Sequence, residues 1–227
     1  MTSPIDITGP VRKLIDKIGS EYEHEIVPVK PDPAATLGNS YFNVQEKVAR
    51  DGGNLVYGWA VWLSDFICEG EHYAVWEDQE GNLIDITPPR VPLEKLLFIP
   101  DDRFIYEGKH IGSIRSSVVD NPLVDHIILL AGMKDYLLGF ATRVGNEQHH
   151  FSSTFIGNVY NHYDSLFNNA VLFYSEGGKL GSVCYCGSMK PYSQCHGKNL
   201  PASMEKVKDT VVKMNDLANE EKGDQEA

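Results

Sequence analysis

Between residues 184 and 197 the sequence reads CYCGSMKPYSQCHG. One residue separates Cys184 from Cys186, eight follow, and Cys195 is succeeded at once by His196. Three thiols and one imidazole match the donor types and donor number of a closed tetrahedral zinc site, with Zn–S near ~2.3 Å and Zn–N near ~2.0–2.1 Å. Donors this close in sequence can meet only if the chain turns back on itself. Gly187 and Ser188 supply that turn, because glycine accepts positive φ and serine bonds nearby backbone groups. A disulfide between two of the cysteines is the competing reading. The remote fourth cysteine, Cys68, the adjacent His196 and an N-terminus, MTSPIDITGP, without the segments of a secretory signal all oppose it. The expectation is one Zn2+ held by Cys184, Cys186, Cys195 and His196 in a cytoplasmic, reducing setting.

The stretch resembles the SEC-C zinc motif, roughly C-x-C-G-S-G-x-K-Y-x-x-C followed by His or Cys. The match runs through Cys184, Cys186, Gly187, Ser188, Tyr192, Cys195, His196 and Gly197, and it departs at Met189, where the motif has glycine, and at Pro191, where lysine is common. The resemblance covers the knuckle and not the rest of the chain. It implies a docking role toward a protein partner, a chaperone or the ribosome, as in the preprotein-translocase ATPases that carry such motifs.

Charge narrows the partner class. Thirty-two acidic residues against 20 Lys and Arg give a formal charge of −12, which opposes broad affinity for nucleic acid or acidic membranes, since both are polyanions. From Gly177 to Met204 the pattern inverts: Lys179, Lys190 and Lys198 occur with no carboxylate. With a divalent ion and three thiolates this region carries about +2. No apolar run approaches the roughly 20 residues of a membrane span.

The pattern along the chain is that of an α+β protein. Pro10, Val11, Leu14, Ile15, Ile18 and Tyr22 predict an amphipathic helix, and Pro28, Pro31 and Pro33 an extended linker, together residues 1–35. An α+β domain is expected over 36–180. In it a helix opens at Asn39 and Ser40 and ends at Asp51, Gly52 and Gly53. Strands follow at Leu55–Trp62, Ile67–Glu77 and Leu83–Thr87, the last two joined by the tip 78–82. The segment Leu96–Ile114 is only weakly strand-like. Helices are expected from Asn121 and Pro122 to about Arg143 and over Thr154–Leu172. The zinc module then takes 181–200 as a body separate from the main core. A helix capped by Ser203, with the stripe Met204, Val207, Val211 and Met214, and a disordered tail from Asn219 complete 201–227.

A second constellation lies in the strand-rich part. Ser40 stands at a helix start, His72 on one expected strand and Asp85 on the next. A nucleophile at a helix N-terminus, a histidine to take its proton and a carboxylate to orient the imidazole form a hydrolase logic. The run HYAVWEDQEGNLIDITP from His72 resembles the His-strand and Asp-strand hairpin of transglutaminase-like and papain-like thiol enzymes. That resemblance implies their helix-plus-antiparallel-sheet core, with Ser40 replacing their cysteine. Cys68 is too far along the strand from His72 to serve instead, and reads as a buried apolar residue. Two functions therefore stand: a zinc-binding adaptor whose α+β domain lacks full catalytic equipment, or a hydrolase or acyl-transferase using Ser40, His72 and Asp85.

Overall fold

A computed structural model of the chain describes residues 1–144 and 148–223. They fall into two compact units, the first made of 1–119 and 143–150 and the second of 120–142 and 151–227. This division runs through the stretch 36–180 that the sequence reading treats as one domain.

The first unit is built on a mixed-length, largely antiparallel sheet. Its strands are β1 (Glu25–Pro28), β2 (Asn54–Leu63), β3 (Ile67–Glu77), β4 (Leu83–Ile84), β5 (Lys95–Pro100) and β6 (Ile114–Ser117). Their order is β1-β5-β2-β3-β4, with β6 also paired to β3. The long β2–β3 hairpin holds the register, placing Trp59 opposite His72 and Tyr57 opposite Ala74. Alternation along a strand sends neighbours to opposite faces. One face carries Trp59, Val61, Cys68, Leu97 and Ile99, and α1 (Gly9–Ile18) seals it with Val11, Leu14 and Ile18. On the same face α2 (Ser40–Asp51) buries Tyr41 and Val44 against Ala74 and Ile86. The other face packs Val27, Ala60, Val75, Leu96 and Phe98.

Four local expectations change. The first helix ends at Ile18, which leaves Tyr22 beyond it. The proline-marked linker begins inside β1, which pairs with β5 through Ile26 and Leu97. The weakly strand-like stretch starts with β5, an interior strand whose residues Leu96 to Ile99 are at most 1% exposed. The return strand expected over Leu83–Thr87 leaves its pairing with β3 after Ile84, and Asp85 forms a parallel bridge to Val29 instead.

The second unit is helical: α3 (Pro122–Leu138), α4 (Thr154–Ser175) and α5 (Leu200–Gly223). Asn121 caps α3 by accepting from Leu123 N–H at 3.0 Å, and Ser153 caps α4 through Ile156 N–H at 3.4 Å. Lys134 of α3 reaches Asp164 of α4 at 2.6 Å, while its ammonium lies over the Phe167 ring. The last helix starts three residues before Ser203, with Pro201 in its first turn where a missing N–H costs nothing. Its backbone is helical through Gly223, past the expected onset of disorder at Asn219; residues 224–227 of that tail lie outside the described residues. Met204 and Val211 are buried, whereas Met214 is 39% exposed. A separate two-stranded sheet joins β7 (Ala141–Val144) to β8 (Gln148–Phe151). No helix among the described residues is long and apolar enough to cross a membrane.

Candidate metal centre

The segment between α4 and α5 folds as a knuckle in the second unit. Val183 and Pro191 form an antiparallel bridge, closed by Cys184 N–H to Lys190 O at 2.8 Å and Tyr192 N–H to Ser182 O at 2.9 Å. Gly187, at φ 75°, turns the chain after Cys186. A 3-10 turn over Tyr192–Gln194 then brings Cys195 and His196 back. Gly197 closes it, donating to Tyr192 O at 2.8 Å; a Cβ there would stand 2.5 Å from Tyr192 Cε1.

Four donors converge as a result. Cys184 Sγ lies 3.1 Å from His196 Nδ1, Cys195 Sγ lies 3.6 Å from the same nitrogen, and Cys186 Sγ is 3.5 Å from Cys195 Sγ. All four donor atoms are within 4.8 Å of one another, an arrangement that can hold a metal ion. The sulfurs are free thiols, far beyond the ~2.05 Å of a disulfide. Ser188 donates its hydroxyl to Cys195 Sγ at 3.3 Å, and the Tyr185 ring stacks on His196 with centroids 4.7 Å apart. Hydrogen bonds from Ser188 lower the Cys186 thiol to about 7, whereas burial pushes Cys184 up.

The knuckle shares its unit's apolar core. Cys184 and Tyr192 cluster with Leu123 of α3 and Phe173 of α4, and Tyr192 is 1% exposed with its ring stacked on Phe173 at 5.7 Å. Sequence reasoning treats Tyr192 as a motif position; its role as a core ring becomes visible only once α3 and α4 are placed.

The second constellation is not assembled. His72 is buried, its Nδ1 2.9 Å from Tyr41 Oη and its Nε2 3.1 Å from Phe104 O. Burial lowers its pKa to about 4, so the imidazole is neutral. Asp85 accepts from Thr87 N–H at 2.9 Å and from Tyr73 Oη at 3.3 Å. Tyr73 follows His72 in β3 and so points to the opposite sheet face, leaving the backbone of the sheet between Asp85 and the imidazole. Ser40 is buried in the first turn of α2, where its neighbour Tyr41 takes the histidine. No hydrogen bond joins Ser40, His72 and Asp85 to one another among the described residues. Cys68 is fully buried, and burial pushes its thiol to about 11.

The chain matches no protein-family model, no curated protein and no solved structure.

Proposed function

We propose that this chain is a zinc-binding docking protein, in which Cys184, Cys186, Cys195 and His196 hold a structural Zn2+ and the knuckle so ordered engages a protein partner. The convergence of four donor atoms within 4.8 Å carries this reading. A tetrahedral ion with bonds of ~2.0–2.3 Å needs donor separations of about 3.5–3.8 Å; those of 3.1, 3.5 and 3.6 Å lie close to this, and the widest, up to 4.8 Å, has to close by about 1 Å around the ion. Three thiolates and an imidazole favour zinc over the oxygen-seeking magnesium and calcium. Four protein donors also fill the coordination sphere, leaving no position for a reacting water, so the ion's role is structural.

The docking half of the proposal rests on the knuckle's surface and on its resemblance to SEC-C motifs. Val183 is 54% exposed and Met189 79%, beside Lys179, Lys190 and Lys198 in a stretch free of carboxylates. An apolar tip with a basic surround suits a protein surface of negative charge, chaperone- or ribosome-associated as the resemblance implies. The hydrolase reading draws no support from Ser40, His72 and Asp85, which share no hydrogen bond among the described residues.

Metal analysis tests the centre: the purified chain should carry one zinc, and Co2+ exchanged into it should show the intense visible absorption of a tetrahedral thiolate complex. A metal-free chain that is fully folded would end the proposal. Docking is tested by co-purification with the partner candidates, which Met189→Asp and Lys190→Glu should weaken while zinc content stays unchanged.

A further inference from the structure

The three thiols of the knuckle differ in access. Cys184 is 3% exposed, its N–H tied to Lys190 O, and it is packed with Leu123, Phe173 and Tyr192. Cys186 is exposed and Cys195 partly so, and their sulfurs lie 3.5 Å apart. The loop between them is solvent-facing from Gly187 to Lys190 and includes two residues at positive φ, Gly187 and Met189. Closing the sulfur gap to the ~2.05 Å of a disulfide takes about 1.5 Å of movement, which Cys186 and the exposed stretch 187–190 can supply while Tyr192 and Cys195 stay against the core.

We propose that Cys186 and Cys195 form a peroxide-driven disulfide that opens the metal centre, so that the knuckle is a redox-controlled latch on the core shared by α3 and α4. The proposal rests on the zinc reading above. The Cys186 thiolate attacks one peroxide oxygen, the O–O bond breaks, hydroxide leaves and a sulfenic acid remains. The Cys195 thiolate then attacks that sulfur, the S–S bond forms and a second hydroxide leaves. Two solvent protons convert both hydroxides to water; the sulfurs lose two electrons and the peroxide gains two. Cys184 and His196 remain, half of a tetrahedral set, which cannot retain the ion against water. Tyr192 and Cys184 then lose the tether that holds the knuckle on Leu123 and Phe173. A dithiol reductant reverses the step.

The experiment uses the full-length zinc-loaded chain. Zinc content is measured first, hydrogen peroxide is then added, and zinc release is followed with a chromogenic chelator while thiols are counted and disulfides mapped by peptide mass. The expected result is release of the bound zinc with loss of two of the four thiols, a single Cys186–Cys195 disulfide, and recovery on adding dithiothreitol and zinc. Because serine variants can fail to bind metal at all, the decisive variants keep four donors. Cys186→His and Cys195→His, at the exposed and part-exposed positions, should resist peroxide once their zinc content is shown to match, and in the oxidised unaltered chain Cys184 should map as a free thiol. Zinc absent at the outset overturns the metal reading and this inference together. Zinc present but retained under excess peroxide, released equally from Cys186→His, or accompanied by a disulfide to Cys184 overturns the inference alone.

Discussion

Met189 shows what a single residue can cost a metal loop. It occupies φ 59°, in the left-handed region, at the position where the SEC-C pattern has glycine, and its side chain is 79% exposed. A side chain with a Cβ pays roughly 1–2 kcal/mol there, partly offset by the greater unfolded-state freedom of glycine. Met189→Gly should therefore stabilise the zinc-loaded chain by about 0.5–1 kcal/mol in chemical unfolding, and Met189→Val should destabilise it. Two buried polar residues of the first unit act on stability with opposite signs. Burial lowers His72 from 6.5 to about 4 and raises Asp85 from 3.8 to about 6. Between pH 4 and 6.5 the unfolded chain binds the proton at His72 and the folded one does not, so this residue makes stability fall as pH is lowered. Between pH 4 and 6 the folded chain binds the proton at Asp85, so that residue makes stability rise as pH is lowered. The two slopes oppose each other across one window. Urea unfolding from pH 4 to 6.5, followed as the difference between each variant and the native chain, separates these two groups from Glu71, His126 and the cysteine cluster, which also respond to pH. Asp85→Asn should lose stability toward pH 4 and His72→Gln should gain it, each with a slope approaching about 1.4 kcal/mol per pH unit; parallel profiles for all three would show that neither group titrates as described. The sequence names these residues and their order but not their faces, since a two-residue end to β4 and its exit at Asp85 decide on which side of the sheet the carboxylate lies.

At the scale of elements, what was legible followed from periodicity and what was missed followed from its absence. The hairpin β2–β3 is rich in aromatic and β-branched residues, and α2 and α3 carry start signals at Asn39 and Asn121, so their positions could be read directly. Strand β5 is buried on both faces, which removes alternation and leaves only the short apolar run LLFI between a lysine and a proline. Strand β1 ends in Pro28, a residue that breaks most strands but is tolerated at a sheet edge, where β1 lies. The junction of β2 with β5 depends on Gly58. A Cβ there would run into the carbonyl of Ile99 and lie 2.6 Å from Phe98 Cζ, on a strand whose backbone cannot retreat. Gly58→Ala should cost at least about 2 kcal/mol, read as a lower urea midpoint at unchanged zinc content. An unchanged midpoint would mean that the two strands do not approach so closely.

Across the whole molecule, the four donors were legible in the sequence because ligand chemistry ties residue type to spacing, yet the body to which they belong was not. A module over 181–200 standing apart from the main core would lose only its own order on chelation. The structure instead places Cys184 and Tyr192 in one cluster with Leu123 and Phe173, so an ion held by the four donors would close the core of the helical unit. Leu123 and Phe173 lie far from the knuckle in sequence, and no local pattern announces their convergence on it. Removing such an ion would leave three sulfurs and an imidazole to hydrate beside buried rings, and the free energy that orders the loop would be lost to the whole cluster. Hydrogen exchange with and without a strong chelator separates the two pictures. Protection should fall in the knuckle and also in the amides of α3 and α4 around Leu123 and Phe173. Amides of β2, β3 and β5 should keep theirs, because the clusters of the first unit contain no residue of the knuckle. Loss confined to 181–200 would return the knuckle to an independent module, and loss extending through the sheet would show that the two units do not fold as separate cooperative bodies.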